Sequence, residues 1–252
     1  MKLDFHVHGK LSKKFDFTTD YLTEVAMFAK ETGLDGFLLS EHFNTSGYYA
    51  METEIRETFE YVNEYYLIKD MRVFTAMEID VDKGGHVIVC GHRDHLFELR
   101  KKLDPYTEKG DFVKFSQLLD WSDKFESLVI GAHPFRGEHP LAKNQSREDL
   151  NRLDALDLNA TDIYSQGLDN VINELQPFAE DLDIPIVTGS DSHYPLQVGT
   201  VYCDFNEYHN NAKSLRNAIK SKEYTAHISP LLDRKVEAAR TTKAHLKAKL
   251  LV

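Results

Sequence analysis

Short apolar runs of strand character alternate with amphipathic helical stretches along most of this 252-residue chain, and no other feature limits its architecture so strongly. Residues 3–8, 35–40, 71–79, 86–90, 128–132, 154–159, 184–189 and 200–205 read as strands. Residues 19–32, 52–66, 116–125, 171–182, 212–221 and 237–250 carry helical periodicity. Thr18 or Thr19 can cap the first helix and Gly33 can stop it. Gly84-Gly85, between two strand runs, predicts a hairpin-like excursion. Repeated strand-then-helix units imply parallel strands with right-handed crossovers, so the chain is α/β, as a doubly wound sheet or a (β/α) barrel. Residues 1–230 read as this unit, and residues 231–252 as a basic C-terminal helix packed on it or extending from it.

Composition excludes several classes. With 42% hydrophobic and 28% charged residues the chain is neither disordered nor collagen-like. Its length buries a core without staples. Cys90 and Cys203 lie far apart and match no metal or redox spacing, which suits a reducing compartment. No apolar run approaches the ~18 residues of a membrane span. Met1-Lys2-Leu3-Asp4 leads straight into a strand run, and the expectation is a cytoplasmic protein with no membrane partner. Of the 30 basic and 41 acidic residues, ten and three lie beyond residue 212, leaving 20 and 38 before it. A body this acidic argues against nucleic acid as a partner, although bound cations can reverse the field around a phosphate. The basic tail reads as a solvated helix face.

Almost every strand run ends in a potential metal ligand. The first ends in His6-Val7-His8, the second runs into Glu41-His42, and the third leads to Glu78. His86 follows the Gly-Gly turn, His133-Pro134 follows the 128–132 run, and Ser190-Asp191-Ser192-His193 follows the 184–189 run. In a parallel barrel the strand C-termini share one rim, so these side chains would converge although distant in sequence. That placement favours the barrel. Strand residues i and i+2 point the same way, so His6 and His8 can grip one ion, and Asp191 pairs with His193 by the same argument. Mixed imidazole and carboxylate ligation suits Zn, Mn, Fe or Ni better than Mg or Ca, and Glu78 is the natural bridge between two ions. His92, His95, His139, His209, His227 and His245 close no strand of the barrel and are assigned no ligand role.

In chain order, Asp-Phe-His-Val-His, Ser-Glu-His, Met-Glu-Ile-Asp, Gly-His-Val-Ile-Val-Cys-Gly, Gly-Ala-His-Pro-Phe-Arg and Gly-Ser-Asp-Ser-His resemble the motifs of the PHP family. These are metal-dependent phosphoesterases named for polymerase and histidinol phosphatase. The resemblance covers residues 6–193 in its motifs and reaches about residue 230 in its strand–helix pattern. It implies a distorted (β/α)7 barrel with the metal site at the C-terminal rim of the strands, holding two or three divalent ions (Zn, Mn or Fe). It further implies His6, His8, Glu78 and Asp191 at a first ion, Glu78, His86 and His133 at a second, and His42 and His193 at a third. Where the family usually supplies another His or Asp, this sequence has Lys13 and Lys14. A missing third ion, a weakly held one, and an ammonium group in its place all stay open.

The acidic body and the lack of an appended domain make a small-molecule phosphate monoester the expected substrate, with histidinol phosphate one possibility, and a hydroxide held between two ions would attack it. No Ser or Cys nucleophile is needed. Arg136, close behind His133-Pro134, offers a planar fork for phosphate oxygens. Lys10, Lys13 and Lys14 lie in the loop expected to overhang the site, and Asn159 resembles a family position on the same rim. His193 is the candidate to protonate the leaving group. Two rival readings are a metal-dependent hydrolase of another bond, amidohydrolase or TatD-like nuclease, and a non-catalytic barrel that binds a partner through its basic tail.

Overall fold

The computed structural model describes residues 1–250, and its strands follow the apolar runs. One sheet contains β1 (Lys2–Val7), β2 (Gly36–Leu39), β3 (Glu60–Val62), β4 (Tyr65–Ile68), β5 (Met71–Asp80), β6 (His86–Cys90), β7 (Leu128–Ala132), β8 (Ala155–Asn159), β9 (Ile186–Gly189), β10 (Val201–Phe205) and β11 (Tyr224–Ile228). The helices are α1 (Thr19–Glu31), α2 (Tyr48–Thr58), α3 (Arg93–Lys102), α4 (Phe115–Asp123), the single turns α5 (Leu141–Asn144) and α6 (Arg147–Leu150), α7 (Ala160–Gln166), α8 (Leu168–Leu182), α9 (Ala212–Lys220) and α10 (Leu232–Leu250).

Pairing runs β1–β2–β5–β6–β7–β8–β9. Beyond β9 the chain turns back onto β1. The Asp191 N–H donates to the His6 carbonyl and the His8 N–H to the Ser192 carbonyl, each at 2.8 Å. The sheet therefore closes into a barrel-like cylinder. Outside it, β10 pairs antiparallel with the start of β1, and β11 with β10.

Alternate strand residues enter two apolar clusters, as a period of two requires. Val73, Met77, Val87, Val89, Val129 and Leu156 pack with helix residues such as Leu22, Val25, Leu96 and Leu118. Leu38, Phe74, Ala76, Ile88, Cys90, Ile130 and Val187 form the second cluster, inside the cylinder. Extending that inner parity reaches Glu78 in β5, His86 in β6, and Asp157 and Asn159 in β8. Each of these strands is thus apolar toward one end of the barrel and polar toward the other. In β1 the inner set changes from Leu3 and Phe5 to His6 and His8. A register shift against β2 between Asp4 and Val7 accompanies this change.

The all-parallel expectation fails at β6, which is antiparallel to both β5 and β7. Gly84 (φ 104°) and Gly85 (φ 96°) return the chain at once, and residues 81–85 are too few for the crossover that a parallel partner needs. Reversal has a useful consequence. His86 begins its strand, yet it stands on the rim where the other ligand-bearing strands end.

Residues 52–66 do not form one helix. The helix ends at Thr58 and a hairpin of β3 and β4 follows. Tyr61, Val62, Tyr65, Tyr66 and Ile68 are aromatic or β-branched and suit a strand. Asn63 (φ 56°) serves the first turn, and Lys69-Asp70 (φ 52° and 66°) make a tight turn into β5. The sequence reading did not include α3, α7 or β11, and the helical periodicity it found at residues 237–250 starts inside α10 and not at its first residue, Leu232.

The terminal helix is also more than a solvated face. Leu232, Val236 and Ala239 are buried, and α10 packs against α7 and the turn at Pro195–Gln197 beside the rim. Among the described residues, no helix is long and apolar enough to cross a membrane.

Candidate metal centre

Glu78 stands at the centre of the polar end of the barrel, and five imidazoles reach it. Its Oε1 lies 2.8 Å from His86 Nδ1, 3.1 Å from His133 Nε2 and 3.7 Å from His6 Nε2. Its Oε2 lies 2.8 Å from His42 Nδ1 and 3.6 Å from His8 Nε2. Asp191 closes the other side, with Oδ1 3.3 Å from His8 Nε2, 3.7 Å from His6 Nε2 and 3.8 Å from His193 Nδ1. Three ligand triads have donor atoms within 4.8 Å of one another: His6, Glu78 and His133; His6, His8 and Asp191; His8, His42 and His193.

The donor set fits divalent cations. Buried polar atoms normally find a hydrogen-bond partner. Here His6 Nε2, His8 Nε2, His42 Nδ1 and Glu78 Oε2 have none. His42 Nδ1 and Glu78 Oε2 are only 2.8 Å apart, yet their geometry makes no hydrogen bond. Lone pairs aimed at a shared space, rather than at each other, suit cations.

A carboxylate layer behind the ligands sets their orientation. Asp157 Oδ2, 3.1 Å from His6 Nδ1, leaves Nε2 facing the cluster, and Asn159 Nδ2 donates to the same oxygen at 2.8 Å. Asp80 Oδ1 lies 2.9 Å from His86 Nε2, and Glu41 Oε1 lies 3.8 Å from His8 Nδ1. Gly189 leaves the space that His6 needs: a Cβ there would sit 2.4 Å from His6 Cβ. His133 (φ 29°) and Asp191 (φ 55°) both hold left-handed backbone, which costs on the order of 1–3 kcal/mol each at non-glycine residues.

The structure brings every sequence-predicted ligand together: His6, His8, His42, Glu78, His86, His133, Asp191 and His193. The residues expected at substrate have the following surroundings in the protein. Arg136 spends its fork on the protein, donating from Nε to Asp162 Oδ1 (2.6 Å), from Nη1 to Asp191 Oδ2 (2.5 Å) and from Nη2 to Asn159 Oδ1 (2.5 Å). Asn159 is fully buried and hydrogen-bonded to Arg136, Asp157 and the Thr161 N–H. Lys13 pairs with Asp80 at 3.2 Å, Lys14 is exposed, and buried Lys10 donates to the Ser46 carbonyl at 2.7 Å, tying down its loop.

Asp80 and Asp157 were missed by the sequence reading, although each lies two residues from a residue it singled out, Glu78 and Asn159. Period-two counting could have found both. His92, read as a non-ligand, caps α3 by accepting from the Asp94 N–H. His92→Ala is therefore expected to cost about 1 kcal/mol of stability and to leave metal content unchanged, as thermal unfolding and elemental analysis will show.

Burial disfavours charge on every imidazole here, and the neighbours decide which keep it. Against burial, Asp191 and Glu78 raise His6 well above its ordinary value, Asp191 and Glu41 raise His8, and Glu78 and Asp80 push His86 up to about 10. Burial pulls His42, His133 and His193 down. Despite burial, Glu78 and Asp191 stay well below the carboxylate range because of the cations facing them. Protons on His6, His8 and His86 thus compete with metal. Raised pKa values mean that these protons are bound at pH 6, so metal affinity should climb with pH, by about tenfold per unit for each proton displaced. Calorimetry of metal uptake between pH 6 and 8, in buffers of different ionisation enthalpy, checks this; an affinity independent of pH contradicts it.

The family model described as PHP-associated matches residues 175–224, a stretch that includes Asp191 and His193. Among curated proteins no match is found. Among solved structures, PsfC from Pseudomonas syringae PB-5123 is similar at a TM-score of 0.77 and 19% identity, over 97% of this chain and 98% of that one. The lesion-specific endonuclease PfuEndoQ from Pyrococcus furiosus is similar at 0.63 and 16%, over 88% of this chain and 56% of that one. A two-domain protein from Bacteroides vulgatus ATCC 8482, containing a predicted PHP-like metal-dependent phosphoesterase, is similar at 0.53 and 13%, over 90% and 64%. At these identities the likeness concerns the fold. The chain thus shares its barrel fold with these proteins, and a segment of its histidine-rich rim matches the PHP-associated model.

Proposed function

We propose that this chain is a metal-dependent phosphoesterase acting on a small-molecule phosphate monoester. The observation that carries the reading is the convergence of five imidazoles on Glu78 with buried donor atoms left unpaired. His6, His8, Glu78 and Asp191 would hold one ion, Glu78, His86 and His133 a second, and His42 with His193 a further one. When bound, such ions supply Lewis-acid stabilisation of phosphoryl charge and a nucleophile at neutral pH.

The chain's own residues do the positioning. Asp157 and Asp80 hold the His6 and His86 rings, and Arg136 fastens Asp191 to Asp162 and Asn159. Gln197 donates to the Ser190 carbonyl at 2.6 Å, and the Tyr21 hydroxyl donates to the His193 carbonyl at 2.7 Å, which fixes the Asp191–His193 turn. His193 is held neutral by burial and by nearby His8 and Lys243, so it suits a metal ligand or proton acceptor better than a resting proton donor.

The endonuclease among the structural neighbours makes nucleic acid the second reading. The net charge of −11 opposes it. Elemental analysis combined with a panel of monoester, diester, amide and lactone substrates tests both. Metal-dependent turnover of a monoester, at least about tenfold above a diester, is expected; turnover confined to amides or lactones would overturn the proposal.

A further inference from the structure

The stripe that docks α10 on the rim runs Leu232, Val236, Ala239 and then Lys243, at helical spacing. The first three are buried, as a docking stripe requires. The fourth is a half-buried lysine where an apolar residue would continue the contact. Its side chain, with Arg240, lines a cavity of about 200 Å³ whose other walls include Asp191, His193, Thr161 and Gln197. The helix thus reaches over the metal centre and supplies one wall of the space beside it.

Two further facts distinguish these cations from Arg136 and Lys13, which are neutralised by aspartates. The charged groups facing Lys243 are Lys247 and Arg240 on its own helix and Asp191 and Glu41 from the barrel, and neither carboxylate is within ion-pair distance. Arg240 lies over the Tyr164 ring at 5.4 Å and, among the described residues, has no carboxylate partner. Burying a cation without a partner is costly, and here burial together with Lys247 draws the Lys243 ammonium down to about 8. Such a cost is offset when an anion occupies the space between Lys243 and the metal ligands.

Resting on the phosphoesterase reading, we propose that Lys243 and Arg240 form an anion-binding wall of the active-site cavity and receive the phosphoryl group of the substrate. Two cations match a monoester, which carries a charge of roughly −1.5 to −2 near neutral pH, better than a singly charged diester. The cavity is smaller than the ~300–1,000 Å³ of clefts that hold drug-sized ligands, so a phosphoryl group on a small organic body suits it.

Inorganic phosphate is the probe, titrated calorimetrically at low ionic strength into the metal-loaded full-length chain. Lys243→Gln is expected to weaken phosphate binding about tenfold or more, the scale of a lost charge-assisted hydrogen bond. Arg240→Gln should weaken it less, and Lys243→Arg should keep it within roughly threefold, with metal content constant throughout. With a turned-over ester, KM should rise while kcat changes little. Unchanged phosphate affinity in the Lys243→Gln/Arg240→Gln double variant, no phosphate binding by the parent chain, or loss of metal in the variants each overturns the inference. The two readings fail separately. Lost phosphate binding without turnover of any ester upholds the anion wall and sinks the phosphoesterase, whereas ester turnover with unchanged phosphate binding does the reverse.

Discussion

Glu78→Gln should abolish turnover and strip metal from the protein. The substitution keeps the shape of the side chain and removes one negative charge from a site where five imidazoles lie within 3.7 Å. His6 and His86 lose the carboxylate that helps hold their protons, and cations would lose the candidate bridging ligand. Supporting groups one step removed from a metal typically matter by about 10–100-fold in affinity, and a direct bridging ligand should exceed that. Elemental analysis after dialysis and an ester assay with added metal check it. Full metal content with normal turnover would remove Glu78 from the centre of the mechanism.

Gly189→Ala should be nearly as damaging, although glycine-to-alanine changes at relaxed positions commonly stabilise a protein by about 0.4–1 kcal/mol. Gly189 ends β9 on the inner face, where an added methyl would meet His6 Cβ at 2.4 Å and Asp157 Oδ1 at 2.8 Å. Both belong to one unit, since Asp157 orients the His6 ring. Backbone and ring must therefore shift together, at a cost of about 1–3 kcal/mol for overpacking. Misplacing a reactive group by about 1 Å costs on the order of 10²-fold in rate. Thermal unfolding and an ester assay read the two effects separately. An active, stabilised Gly189→Ala protein would show that this glycine does not shape the His6 pocket.

The convergent candidate ligands were legible in the sequence because each stands at or just beyond an end of an apolar run, and a strand end is a local property. His6-Val7-His8 and Asp191-Ser192-His193 needed only the period of two and the expectation of a shared rim. His86 shows the limit of that reasoning. It begins β6, and it joins the rim only because the Gly84-Gly85 turn reverses the strand. The β3–β4 hairpin was hidden for a similar reason. Residues 52–66 carry apolar groups at spacings that serve either a helix or two short strands, and pairing of β4 with β5 settles the choice.

By itself the sequence determined the alternating α/β architecture, the set of candidate metal ligands and the acidic character of the body, since these depend on local periodicity, strand ends and counting. Only the tertiary structure decided what the basic residues do. It committed Arg136 to Asp162, Asp191 and Asn159, paired Lys13 with Asp80, and carried Lys243 from the far end of the chain to the cavity beside His193. The partners of a long cationic side chain are set by which elements pack beside it, and docking of α10 through Leu232, Val236 and Ala239 leaves no local mark at Lys243.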